Sequence, residues 1–451
     1  MDICEIRSGK HSVCGCRSNG IFLFRCVRYT AAQTAERRFC MPSADDIFEQ
    51  ATVYDSERGM VPPQNISDLE AAMGKIDAVQ REDCLTLEIA TPDINSSLPV
   101  AVWFHGGANC FGAGSLPWYD PGPLAKAVNC VIINVNFRLG AFGFFHHPKV
   151  CTGNLSIEDQ MAALRWIQRH AHQFGGDASR VTVFGQSAGA NALLHILGRP
   201  DSAGLFSQVL LQSPSIGRGN HSSSDAAVIA ECLMKSLGID PDDRPDAIRA
   251  HLRSCSVKSI LQAMSEIEPL CIPRFGNMLF KPVDDNRLTA FDVIESAAKE
   301  AVYRGVRIMI GTTRDEMSAF CRDTDELSLS KLKNIQADRF DRPAVAFAKK
   351  VAGLGGDIRL YRFDWEAPES GFHACHCIEL PFVFGTWRKW AAPMIAGVAE
   401  TEAQRLTRTM QQDWGCFFNF RDFDPAVWPR LNTVKPSRRI FDNAANPIEY
   451  F

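Results

Sequence analysis

Long apolar runs are missing from this sequence: none approaches the roughly 18 consecutive positions that a membrane-spanning helix needs. Gly20-Ile21-Phe22-Leu23-Phe24 is stopped by Arg25, and the opening Met1-Asp2-Ile3-Cys4-Glu5 lacks the basic start of a secretion signal. The expectation is therefore a cytoplasmic protein without a membrane span. An excess of either charge is missing too. The 48 basic and 52 acidic residues are well mixed and leave a formal charge of −4, which argues against nucleic acid or an anionic membrane as a partner. The 16 cysteines lack a pairing pattern. Most sit in apolar strings such as Asn129-Cys130-Val131-Ile132-Ile133 and read as small buried hydrophobes, not a disulfide framework. Cys14/Cys16 and Cys375/Cys377 have no second pair at finger-like spacing, so no metal site and no cofactor is expected. Repeats and low-complexity tracts are absent.

What is present is ample core material, 46% apolar residues with an ordinary 22% charged. Strand-like runs at Leu98–Phe104, Cys130–Phe137, Val181–Phe184, Gln208–Ser213, Val306–Ile310 and Ile358–Phe363 alternate with helical periodicity, as at Ile157–Phe174. That alternation predicts an α/β fold with a mostly parallel central sheet and helices on both faces. Residues 1–40 read as a small N-terminal β-meander with turns at Ser8-Gly9-Lys10 and Ser18-Asn19-Gly20. Residues 41–81, polar and broken by Val61-Pro62-Pro63, read as a long surface excursion. Helical patterns at Ala226–Leu237, Ala247–Leu252 and Ser256–Met264 predict a lid-like insertion over about 217–304, and a second over about 318–357. The whole, 1–451, reads as one catalytic domain with insertions.

The chemistry gathers at Gly185-Gln186-Ser187-Ala188-Gly189. Strand character runs directly into it and Asn191–Leu197 follows as a helix, the setting of a nucleophile elbow with Ser187 at the tip. Gly185 and Gly189 answer to turn and helix backbones that approach too closely for a side chain. The helix start offers unpaired N–H groups to an oxyanion. His105-Gly106-Gly107-Ala108 follows another strand at once, and such a small-residue loop can present further N–H donors to the same oxygen. A serine hydroxyl needs an imidazole to take its proton and a carboxylate to hold that imidazole, and in elbow enzymes the chain order is Ser, acid, His. His195 lies on the helix behind the serine, and His221 and His251 in the lid-like segment. His373 and His376 alone stand in a loop after a late strand, and either fits. For the acid, Asp315 and Glu316 end a strand and composition does not separate them; Asp284 and Asp285 read as turn formers.

These residues carry a family resemblance. Glu82-Asp83-Cys84-Leu85, Trp103-Phe104-His105-Gly106-Gly107-Ala108, Phe111-Gly112-Ala113-Gly114-Ser115, Asn136-Phe137-Arg138-Leu139-Gly140, Asp159-Gln160, the elbow, Gly311-Thr312-Thr313-Arg314-Asp315-Glu316 and His376-Cys377-Ile378-Glu379-Leu380-Pro381-Phe382 appear in one order. The sequence from about residue 20 onward resembles the type-B carboxylesterase family of α/β-hydrolases, and within it the bacterial para-nitrobenzyl esterases most. The resemblance implies the α/β-hydrolase fold, with Ser187 as nucleophile, Glu316 as acid and His376 as base. It implies an oxyanion hole from the N–H groups of Gly107, Ala108 and Ala188, with Gly106 shaping the turn and Ser213 supporting the three. Arg37 or Arg38 would pair with Glu82.

Departures from the family pattern matter as well. Met317 stands where a glycine usually follows the acid, and Asn109 where an aromatic usually follows the oxyanion loop. Pro62 replaces the cysteine that partners Cys84 in secreted relatives, in keeping with a reducing compartment. Glu316 and His376 lie 376 − 316 = 60 positions apart, shorter than the family's usual spacing, which predicts a shallower, more open site. The expected activity is hydrolysis of small to medium carboxylic esters through an acyl-enzyme. Alternatives are an amidase, a carbamate hydrolase or an acyltransferase of the same fold, and further off a non-catalytic cholinesterase-like binding protein. Cys375 and Cys377 read as packing beside the base.

Overall fold

A computed structural model describes residues 2–8, 11–45, 47–50, 60–285, 292–321, 329–442 and 447–451. Twelve strands form one continuous path: β1 (Asp2–Ser8), β2 (His11–Ser18), β3 (Ile21–Arg28), β4 (Thr86–Thr91), β5 (Leu98–Phe104), β6 (Val131–Val135), β7 (Gly176–Gln186), β8 (Gln208–Gln212), β9 (Arg307–Thr313), β10 (Ile358–Phe363), β11 (Ser437–Phe441) and β12 (Ile448–Tyr450). Their spatial order is β1-β2-β3-β4-β6-β5-β7-β8-β9-β10-β11-β12. Every pairing from β6 through β11 is parallel, whereas β1 to β4, the β4–β6 pair and β11–β12 are antiparallel. The meander is thus the edge of the main sheet itself. Its second turn uses Asn19 and Gly20, both at positive φ (52° and 82°), the conformation a two-residue hairpin demands. Of the first expected turn, Gly9 and Lys10 lie outside the described residues.

Central strands bury both faces because successive side chains point to opposite sides. Val100, Val102 and Phe104 of β5 enter one apolar cluster, and Ala101 and Trp103 the other. Helix α1 (Pro121–Val128) and the C-terminal α9 (Glu400–Phe418) pack in the second cluster. Helices α2 (Leu155–His170), α3 (Ala188–Leu197), α7 (Val293–Arg304) and α8 (Arg342–Gly353) pack in the first. Between α3 and α7 come α4 (Ser223–Ser236), α5 (Pro245–Ser254) and α6 (Val257–Phe275), whose buried faces extend that same cluster. Helix α6 runs past the expected end at Met264 despite Pro269 and Pro273. Ile260, Ala263, Met264, Ile267 and Cys271 keep its apolar stripe buried to the last turn, and that packing outweighs the two lost backbone bonds.

The stretch read as a surface excursion is not one throughout. Met60 to Gln64 is buried, and Asn136 Nδ2 donates to the carbonyl of Met60. A second buried anchor lies nearby: Arg138 and Asp159 form a two-pronged ion pair (2.8 and 2.6 Å) with at most 3% of either side chain exposed. Arg38, and not Arg37, takes Glu82, and its remaining N–H groups go to the carbonyls of Leu252, Arg253 and Cys255. It thereby ties the helical insertion to the sheet. Cys84, without a disulfide partner, is buried.

Candidate active site

The C-terminal ends of β5, β7, β8 and β9 open on one place, because parallel strands all point their ends the same way. Ser187 follows β7 directly, at φ 54° and ψ −119°, a conformation costly for a residue with a Cβ and typical of a tight strand-to-helix turn. The turn is possible because its flanking positions are bare. A Cβ on Gly189 would sit 2.1 Å from the carbonyl oxygen of Phe104, and one on Gly185 2.9 Å from the Gly189 carbonyl carbon. The Ser187 N–H donates to Gln212 O (2.9 Å), tying the elbow to the end of β8.

Beside the elbow, β5 leads into His105-Gly106-Gly107-Ala108. A Cβ on Gly106 would meet Gln186 Oε1 at 2.2 Å and the Cβ of Ser187 at 3.0 Å, so the loop lies directly against the nucleophile turn. Gly107, at φ 110°, has room for no side chain, with Phe111 O 1.9 Å from its would-be Cβ. Among the described residues no acceptor takes the N–H groups of Gly107, Ala108 or Ala188. Three amide donors of the two elements thus remain open. The loop is braced from behind by Gln64, whose Oε1 accepts the Gly112 N–H (2.7 Å) and whose Nε2 donates to Gly112 O (3.1 Å). His105 stacks on Phe137 at 4.3 Å and is held neutral, its pKa lowered to about 4 by burial.

The other two elements come from β9 and the loop after β10. Glu316 is completely buried; its Oε1 accepts the Thr313 N–H (2.9 Å) and its Oε2 takes Nδ1–H of His376. Asp315 instead turns to Arg314 (2.8 Å) and the Ala374 N–H, and His373 is exposed beside Glu366. The structure therefore pairs His376 with Glu316, with Gln186, the neighbour of Ser187, on the other side of the ring, and leaves Asp315 and His373 outside that pair. Met317 needs no glycine: it sits in a short 3-10 turn and is not among the positive-φ residues. The rings of Phe320 and Phe340 lie 5.2 Å from the His376 ring and seal it from water. Of the remaining candidate histidines, His251 is exposed on α5 and the other two have structural settings. His221 faces Met278 O, His195 is buried on α3, and burial lowers both to about 4.

Two polar side chains that the sequence did not single out complete the site. Gln186 donates its amide to His376 Nε2 at 3.0 Å, while no hydrogen bond between Ser187 Oγ and His376 is present among the described residues. With Nδ1–H on Glu316, that amide leaves Nε2 as the acceptor nitrogen, the form a general base requires. Gln212 links Trp414 Nε1 to Glu379, donating to Glu379 Oε1 at 2.9 Å. Their signal in sequence was position alone, one residue before Ser187 and one before Ser213. Ser213 itself is buried at φ 47°, its N–H on Gly311 O (2.7 Å). Cys375 and Cys377 are buried free thiols, their pKa values pushed up by desolvation.

Glu379, like the buried Glu88, has its carboxyl pushed up by desolvation. Burial, and then the Glu316 charge nearby, raise its carboxyl from 4.5 to about 7. Between those values the folded chain binds a proton that the unfolded chain has released. Stability present below about pH 4.5 is thus lost as pH rises towards 7, by up to ~1.4 kcal/mol per pH unit. Glu379→Gln is expected to flatten the fall of melting temperature across this window. An unchanged slope would mean the carboxyl is already ionised in the fold.

Comparison with known proteins followed the same lines. A model of the carboxylesterase family matches residues 8–342. The chain is 33% identical over 431 residues to a probable N-octanoylanthranilate hydrolase of Rhodococcus erythropolis, covering 91% of each chain. It is 30% identical over 440 residues to a para-nitrobenzyl esterase of Bacillus subtilis, covering 89% of this chain and 87% of that one. Among solved structures, a thermophilic PNB esterase superposes with a TM-score of 0.87 at 29% identity, over 99% of this chain and 97% of the other.

Proposed function

The chain belongs to the carboxylesterase family and hydrolyses carboxylic esters, and from that premise we propose that Ser187, His376 and Glu316 carry the reaction. Ser187 Oγ attacks the ester carbonyl while His376 Nε2 takes its proton; Glu316 orients the ring and stabilises the imidazolium. The N–H groups of Gly107, Ala108 and Ala188 hold the oxyanion, each worth roughly 3 kcal/mol in the transition state. His376 then protonates the leaving alcohol, and water repeats the attack on the acyl-enzyme. Before Ser187 can reach Nε2, the Gln186 amide must release it. Gly106 keeps the two loops in contact, and Ser213 supports the elbow through Gln212. The observation that carries this reading is the ring of His376 held by Glu316 in the acceptor tautomer, with Gln186, the neighbour of Ser187, on its Nε2.

The segments 217–304 and 318–357 serve as lids over a single domain, leaving room for small to medium esters. The shortened spacing from Glu316 to His376 favours a shallower, more open site. Residues 286–291 and 322–328 of these segments lie outside the described residues. A cytoplasmic location fits the 16 free cysteines. Among the described residues no helix is long and apolar enough to cross a membrane.

One relative favours a second reading, cleavage of an amide, since its name places the acyl group on nitrogen. Matched esters and anilides of the same acid separate the two. The ester is expected to turn over at least ~100-fold faster, and equal rates would favour the amidase. A product that retains added alcohol as a new ester would reveal acyl transfer.

A further inference from the structure

An open cleft of about 50 Å³ lies between the elbow helix α3 and the lid segment. Asn109, next to Ala108 of the oxyanion loop, and Asn191, one helical turn beyond Ser187, form its inner wall. Its outer wall carries Arg218, Asn220 and Lys281, and among the described residues no acidic side chain lines it. Asn109 and Asn191 set one end of the cleft against the oxyanion loop and the elbow helix, within reach of the remainder of an ester held at Ser187.

The two cations have no ion-pair partner among the described residues. Arg218 donates to Asn277 Oδ1 (2.8 Å), and Lys281 Nζ donates to the Arg218 carbonyl (3.0 Å), both neutral acceptors. The nearest carboxylates are engaged elsewhere. Asp284 accepts the Asn220 amide (2.5 Å), and Asp225 accepts from Ser222 (2.8 Å) and faces Arg274 (3.9 Å). Arg339, behind Arg218, makes a hydrogen bond to the Met317 sulfur. Burial lowers Arg218 to about 10, with help from Arg339, and lowers Lys281 with help from Arg218, against the weaker pull of Asp284 and Asp225. Like charges half-withdrawn from water without a counter-charge are costly. An anion in the cleft would remove that cost and gain charge-assisted hydrogen bonds.

We propose that this cleft is a carboxylate subsite: the esters this protein prefers carry a free carboxylate on their acyl or alcohol part, held by Arg218 and Lys281 with the amides of Asn109 and Asn220 alongside. The proposal rests on Ser187 as the nucleophile and names the substrate class of that same site. Leu194, Ile216 and Met278 line the space between, which suits an apolar spacer between the carboxylate and the reacting carbonyl.

The test pairs charged and neutral esters of like size. Monoethyl adipate against ethyl hexanoate places the charge on the acyl side; 3-(butyryloxy)benzoate against phenyl butyrate places it on the alcohol side. In the wild type, the charged member of one pair is expected to lead by about tenfold or more in kcat/KM. Lys281→Met and Arg218→Gln should each erase about tenfold of that lead, mainly through KM, and leave the neutral esters within about threefold. Lys281→Arg should retain the preference. Neutral esters turned over as well as charged ones in both pairs, with the variants affecting both alike, overturns the subsite and leaves the hydrolase reading standing. A folded wild type that cleaves none of the four esters would overturn the hydrolase reading and the subsite with it. Should Arg218→Gln not fold, the wild-type ratios and Lys281→Met still decide.

Discussion

Ser187→Ala is expected to lower kcat by about 10⁵- to 10⁶-fold on any ester, with the melting temperature unchanged within a degree or two. The size of the loss follows from covalent chemistry. Without the hydroxyl, only the amides of Gly107, Ala108 and Ala188 and the binding cleft remain, and these assist direct attack by water only modestly. The unchanged stability follows from geometry. Ser187 Oγ makes no hydrogen bond among the described residues, so its removal breaks none, and alanine bears the same strain at φ 54° as serine does. Ser187→Gly is expected to be equally inactive yet slightly more stable, since glycine adopts that φ at no cost. Initial rates on 4-nitrophenyl butyrate and a thermal melt give both numbers. An organophosphate should label the wild type once, at Ser187, and the alanine variant not at all. Residual activity above about 1% of wild type would remove Ser187 from its role.

His376→Ala is expected to cost about 10⁴-fold or more in kcat, while His373→Ala stays within about threefold. Only three positions separate the two residues, but their surroundings differ in kind. His376 has no exposed side-chain surface, lies between Phe320 and Phe340, and gives its Nδ1–H to Glu316. His373 has 59% of its side chain exposed and faces Glu366 on the surface. His376→Ala also strands the buried Glu316 carboxylate, so a destabilisation of about 1–3 kcal/mol should accompany the lost activity. Glu316→Gln separates these effects, because it keeps the shape and a hydrogen-bonding group while removing the charge that stabilises the imidazolium. Its kcat is expected to fall by about 10³- to 10⁴-fold, mostly at constant KM. An inactive His373 variant beside an active His376 variant would reverse the assignment of the base.

The elbow was legible in the sequence because it is a local device. Strand, Gly-x-Ser-x-Gly and helix are contiguous, and each glycine answers to a clash within a few residues or with one neighbouring strand. The alternation of strands and helices was legible for a similar reason, since periodicity records burial one face at a time. Choosing Glu316 over Asp315, and His376 over His373, was beyond the residues taken alone. Adjacent side chains on a turn point in different directions, and composition carries no record of direction. Resemblance to a family separated each pair, and the geometry brings the same members together.

Several features were illegible for a shared reason: they join parts of the chain far apart in sequence. Gln64 sits in a proline-broken stretch that looks like surface, yet it braces Gly112 across 48 positions. Gln186 meets His376 across 190 positions, and Gln212 meets Glu379 across 167. Arg218 and Lys281 look like solvated charges until the lid segment folds back over α3. The sequence by itself determined the sheet, the elbow and the chemical kinds available to it, because these follow from local backbone sterics and from which faces must leave water. Tertiary structure alone decided which carboxylate meets which imidazole, which amides stay open and which cations lose their water, because each depends on distances that close only when separate segments share one core.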